Sequence, residues 1–164
     1  MQRAHQILRL NLLFLRADAP IRIDEMERPP KALPDGPIIL FDAQCVLCSA
    51  NARFVLERDK RHRFHLASMQ GEIGARLFQE NGLDPADPTS ILVIDGDAVR
   101  KDSDAVLSIY EGLGWPWRLA SVFRLFPAAL RDPVYRLIAR NRYRLFGKRE
   151  TCWAPPADKA DRVL

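Results

Sequence analysis

Cysteine is scarce in this chain: Cys45, Cys48 and Cys152 are the only three among 164 residues. Three is too few, and too uneven a set, for a secreted scaffold stapled by disulfides. A reduced cytosolic setting fits better, and there a close cysteine pair is usually catalytic or metal-binding. Long apolar runs are lacking too. Ile7 to Leu15 is apolar-rich, but Arg9 and Asn11 interrupt it, and it is too short to span a membrane. No small-residue cleavage site follows, since Arg16-Ala17-Asp18-Ala19 is a poor substitute, and a secretory signal is disfavoured. A second C-x-x-C and an H-x-x-x-H are both absent. That weakens a structural zinc site built on Cys45, Cys48, Cys152 and His62 or His65.

Acid is sparse in one region. Between Arg118 and Arg149 there are nine bases and a single acid, Asp132, although the whole chain carries only +4. Such a stretch reads as a solvated helix face or as a surface for anionic membrane lipid. Trp115, Trp117, Phe123, Phe126 and Tyr143 are the aromatic residues that would sit at such an interface. Nucleic acid is not expected, because no reader motif accompanies the basic patch. The location expected is therefore cytoplasmic, with peripheral membrane contact as its variant.

What is present is a C-x-x-C set between a strand and a helix. Ile38 to Asp42 is a continuous apolar run closed by an aspartate, the pattern of a strand buried on both faces. Cys45 and Cys48 follow, opening a helix that runs to about Asp59. Two thiols on a helix's first turn can close a small disulfide ring, and the helix end favours the thiolate. Arg63 to Ala67 reads as a second strand and Gln70 to Asn81 as a helix stopped by Gly82. Ser90 to Ile94 and Ala98 to Lys101 read as a hairpin around Asp95-Gly96. Asp102 or Ser103 then caps a helix ended by Gly114 and Pro116.

The order β-α-β-α-β-β-α is that of the thioredoxin fold, an α/β class, here with a helical C-terminal extension. In that extension Trp117 to Phe126 is one expected helix. A second starts at Asp132-Pro133, carries Val134, Leu137, Ile138 and Leu145 inward, and stops at Gly147. Residues 1–36, rich in proline and charge, read as an extension or linker. The domain is expected over 37–155, with its C-terminal helices at 117–147, and 156–164 as a tail.

With strand, Asp-x-x-Cys-x-x-Cys and helix in place, the chain resembles the DCC family of thiol–disulfide oxidoreductases, named for that motif. The matching residues are Asp42, Cys45 and Cys48. Ser103-Asp104-Ala105-Val106 and the stretch from Asn141 to Arg149 look similar too, and Cys152 falls where similar proteins carry a further cysteine. Ala43 departs from the pattern, which has glycine there. If that position needs a positive φ, alanine costs about 1 kcal/mol.

The resemblance implies dithiol redox chemistry, hence a protein-disulfide oxidoreductase. On this reading Cys45 is the nucleophile and the more exposed thiol, and Cys48 resolves the mixed disulfide. Asp42 either takes the proton of Cys48 or caps its helix. A thioredoxin fold places a cis-proline beside the dithiol, and Pro88, ahead of Thr89, is the candidate for holding substrate, with Pro85 behind it. The partner is a protein or low-molecular-weight thiol or disulfide, and no cofactor is expected. The rival class is a non-catalytic zinc-binding or membrane-surface module that uses the same cysteines structurally. A phosphatase built on Asp42 is disfavoured, because Gln44 stands where a second acid is needed.

Overall fold

Strand β1, Ile38–Phe41, is buried at every residue, and its alternation explains the layers around it. Ile39 and Phe41 point to one face of the sheet, Ile38 and Leu40 to the other, as period-two geometry requires. The first face is covered by α1, Val46–Arg58, and α3, Asp102–Gly112, through Ala52, Val55, Leu56, Ala105 and Ile109. The second is covered by α2, Glu72–Glu80, through Leu77 and Phe78. Each such apolar side chain contributes about 1.5–3 kcal/mol by leaving water. The computed structural model describes residues 33–84 and 90–164. Among the sequence expectations, those on the N-terminal stretch up to residue 32 and on Pro85, Pro88 and Thr89 lie outside the described residues.

The sheet has the order β2-β1-β3-β4, where β2 is His65–Ser68, β3 Leu92–Asp95 and β4 Ala98–Lys101. β1 and β2 are parallel, with Ile39 opposite Leu66, while β3 runs antiparallel to both β1 and β4. This is the thioredoxin-like α/β arrangement expected from the element order. The hairpin is shifted by one residue: Asp95 pairs with Ala98, so the turn is Gly96-Asp97. Gly74 shows why α2 can lie so close to β2. A Cβ there would stand 2.0 Å from the Ser68 carbonyl oxygen. Ala43 is not among the residues with positive φ, so the missing glycine imposes no strain.

The C-terminal extension departs from expectation in three ways. Trp117–Leu125 is a 3-10 segment rather than an α-helix. The last helix, α4, runs Ala128–Phe146, so it begins before Asp132 and holds Pro133 inside it. Its orientation is also reversed. Val134, Leu137, Ile138 and Leu145 face solvent, whereas Ala139 and Arg142 are buried. The reason lies in its partners: α4 packs on α3 and α1, where acids and the dithiol loop demand polar groups. Asp102 binds Arg136 at 2.8 Å, and Ser103 Oγ donates to Asp132 at 2.5 Å. No helix among the described residues is long and apolar enough to cross a membrane.

The chain then returns to the sheet. Arg162, in the 3-10 turn Ala157–Arg162, is buried against Asp59 at 2.5 Å and also donates to the Phe64 carbonyl. Leu164 N–H donates to the Leu66 carbonyl at 2.8 Å.

Candidate active site

Three residues carry the chain from β1 into α1: Asp42, Ala43 and Gln44. Cys45 is the N-cap of α1, in extended backbone, and its sulfur accepts the Cys48 N–H at 3.2 Å. The Cys48 thiol also points at it, with Cys48 Sγ donating to Cys45 Sγ at 2.7 Å. Both cysteines are free thiols. The Cys48 S–H bond is the largest influence on Cys45. Together with the Cys48 N–H and the nearby Arg142 charge it outweighs burial and brings the Cys45 thiol down to about 7. The same bond, then burial and the charge on Cys45, push the Cys48 thiol up. In the reduced pair the first proton thus leaves Cys45, while Cys48 keeps its own.

Cys45 is not the more exposed sulfur. It has 0% exposure, whereas Cys48 is partly exposed. The cover is a strap that leaves α4. Gly147, at φ +91°, turns the chain back over the loop, and Lys148 pairs with Cys45 as an antiparallel bridge. Arg149 N–H donates to the Gln44 carbonyl at 2.7 Å, and Trp153 N–H to the Ala43 carbonyl at 3.0 Å. The Trp153 ring then packs edge-on against Phe41 at 5.7 Å. Cys48 opens instead onto a largely apolar cavity of about 200 Å³, walled by Leu47, Met69, Ile91, Val106, Tyr135 and Ile138. A larger cleft of about 490 Å³, around Arg63, Arg100, Arg118 and Arg124, touches neither cysteine.

Asp42 is buried and fully engaged. One carboxylate oxygen accepts Gln44 N–H at 2.9 Å and Gln70 Nε2 at 2.8 Å. The other accepts Arg142 Nη2 at 3.1 Å and the Tyr143 hydroxyl. Burial alone would raise its pKa. The hydrogen bonds from Tyr143, Gln44, Gln70 and Arg142 outweigh that and hold it below the ordinary carboxylate value. The Tyr143 hydroxyl is pushed up to about 12, by burial first and then by its bond to Asp42. Asp42 therefore does not cap α1, which Cys45 does, and it is a weak base for a thiol proton.

A family model described as DCC1-like thiol-disulfide oxidoreductase matches residues 39–148. The chain belongs to the DCC1-like thiol-disulfide oxidoreductase family. Two relatives agree with this. The YuxK protein of Bacillus subtilis (strain 168) is 35% identical over 127 residues, covering 77% of this chain and 93% of YuxK. A chloroplastic DCC family protein of Arabidopsis thaliana is 33% identical over 117 residues, covering 71% of this chain and 68% of the relative. No solved structure matches the chain.

For this DCC1-like protein, Asp42, Cys45 and Cys48 converge as the motif suggested. Residue reasoning missed Gln70, Tyr135, Arg142 and Tyr143. Arg142 supplies the cation that the apolar pair Val46-Leu47 does not, and its Nε is buried with no hydrogen-bond partner among the described residues. Tyr135 accepts the Ile91 N–H at 2.9 Å at the cavity wall. The stretch from Asn141 to Arg149 did carry a signal, but as a match without a role. Tyr143, expected at an interface, is instead bonded to Asp42, and Trp117 packs on Phe54 at 4.8 Å. Cys152 is exposed. Among the described residues no group of three His, Cys, Asp or Glu side chains is placed to hold a metal.

Proposed function

We propose that this protein exchanges thiols and disulfides through Cys45 and Cys48, with a protein or low-molecular-weight disulfide as partner. The Cys45 thiolate attacks one sulfur of the partner disulfide. A Cys45–partner mixed disulfide forms and the other partner sulfur leaves as thiolate, taking a proton from solvent. Cys48, having lost its proton to solvent in the cavity, then attacks the Cys45 sulfur. The Cys45–Cys48 disulfide forms, the second partner thiolate leaves, and two electrons have passed from the dithiol to the partner. An external dithiol, or two monothiols, returns the pair to the reduced state and leaves as a disulfide.

The observation that carries this reading is the pair of hydrogen bonds from Cys48 to the Cys45 sulfur at the helix cap. It also times the second step. The Cys45 thiolate accounts for two of the four influences that raise the Cys48 pKa, and both vanish once Cys45 is in a mixed disulfide, leaving burial and the smaller effect of the Asp42 charge. The attraction of Arg142 for a Cys48 thiolate then remains. Asp42 acts as a positioning residue, since its charge fixes Arg142 and Tyr143 beside the dithiol. The strap over Cys45 must yield for a protein partner to reach the sulfur.

Cys48→Ser tests the assignment. It is expected to accumulate mixed disulfides on Cys45, seen as intact-mass adducts removed by reductant, while Cys45→Ser shows no exchange. Retained disulfide reduction by Cys45→Ser would reverse the roles.

A further inference from the structure

The exposed side of α4 carries Leu130, Val134, Leu137, Ile138 and Leu145, between 42% and 66% exposed. They fall in one stripe at helical spacing, the pattern normally turned to a core. The 3-10 segment and its flanks extend this surface: Trp115, Val122, Phe123, Leu125 and Phe126 are each more than half exposed. Phe123 and Phe126 share one open groove with Leu130 and Val134, so the two elements form a continuous apolar face. A patch of this extent marks an interaction site.

Charge identifies what covers it. Arg124, Arg131, Arg136 and Arg142 are paired with Asp104, Glu111, Asp102 and Asp42. Arg118, Arg140, Arg144 and Arg149 form no ion pair among the described residues and are exposed. Arg140 and Arg144, one helical turn apart, lie along one flank of the apolar stripe. Apolar side chains beside unpaired cations complement a surface that is apolar within and negative at its rim, which is an anionic bilayer. A second copy would bring the same arginines together. Residues 1–32 carry six bases against four acids, so their net charge has the same sign as that of the face.

We propose that α4 and the 3-10 segment dock on an anionic lipid bilayer, with the stripe at the headgroup–acyl boundary and the free arginines at lipid phosphates. Ile138 also lines the cavity onto which Cys48 opens, so the docked face borders the dithiol. The docking itself stands independently of the redox assignment.

The test is co-sedimentation of the full chain with phosphatidylcholine vesicles, with and without phosphatidylglycerol, across a salt series. The protein is expected to pellet only with the anionic vesicles and to be released as salt rises. Val134→Glu with Leu137→Glu abolishes binding at an unchanged thermal midpoint, since both side chains point to solvent. Arg140→Ser with Arg144→Ser lowers affinity, by roughly fivefold for each arginine, and tests the charge argument without touching the apolar stripe. Three results would overturn the proposal. One is a wild-type chain that stays in the supernatant. Another is vesicle binding that survives the glutamate pair. The third is a wild-type dimer, seen by sedimentation velocity, that the glutamate pair splits, which would make the face a self-association surface.

Discussion

At the Cys45 sulfur, the thiol of Cys48 outweighs the Arg142 charge in favouring the thiolate, and the asymmetry between the cysteines follows from the two donors of Cys48. Only Cys45 accepts a backbone N–H, so the charge settles there. Alkylation of Cys45 should rise as pH passes about 7 and level off above it, against about 8.5 for an ordinary cysteine. In Cys48→Ala the midpoint should move up toward the ordinary value, as read by mass spectrometry of iodoacetamide adducts. An unmoved midpoint would show that Cys48 does not hold the thiolate. Asp42 gives a second test. Asp42→Asn leaves Arg142 buried and unpaired, which costs about 3–5 kcal/mol, measured by urea unfolding. The Tyr143 hydroxyl should then ionise below about 12. The folded pKa of Asp42 lies below its ordinary 3.8, so its stabilisation is in place above that pH. It is lost as pH falls through the folded value, and the Asp42–Arg142 pair should survive mild acid.

Among the elements, the strap after α4 is the one whose local chemistry is easiest to disturb. Gly147 combines φ +91° with ψ 164°, a region that is nearly exclusive to glycine. Its Cβ would meet nothing closer than Val46 Cγ2 at 3.8 Å, so Gly147→Ala changes backbone preference without a clash. The variant should weaken the strap by about 1–3 kcal/mol and speed Cys45 alkylation at fixed pH. An unchanged rate would mean that the strap does not gate the sulfur. The elements also separate what was legible from what was not. β1 was legible because both its faces are buried, so apolar identity alone marks it. α3 was placed because Gly114 and Pro116 bound it, although its N-cap is Lys101 rather than Asp102 or Ser103 and no side chain caps it. α4 was read with the wrong face inward, because the periodicity rule assumes that the apolar side seeks protein. The inward side is chosen by Asp42 and Asp102, and neither is near α4 in sequence. For the same reason Arg142 and Tyr143 were invisible as site residues, while Cys45 and Cys48, three positions apart, were not.

Among the described residues, the last turn folds back onto the sheet. Arg162 reaches Asp59, whose carboxylate also accepts the Phe64 N–H at 2.8 Å, and so ties the chain's last turn to the junction before β2. Arg162→Ala leaves a buried carboxylate unpaired and should cost about 3–5 kcal/mol in urea unfolding, with little change in the alkylation midpoint of Cys45. A large change in that midpoint would mean that the last turn and the dithiol loop act as one unit. The dithiol loop depends in turn on partners 100 and 101 positions downstream, Arg142 and Tyr143. A ribosome adds about 5–20 residues per second, so roughly 5–20 seconds separate the synthesis of Asp42 from that of Arg142. Through that interval the nascent thiols have neither strap nor guanidinium beside them. The dithiol is thus made early and sheltered late: until residues 142–153 have been added, its sulfurs have no cover.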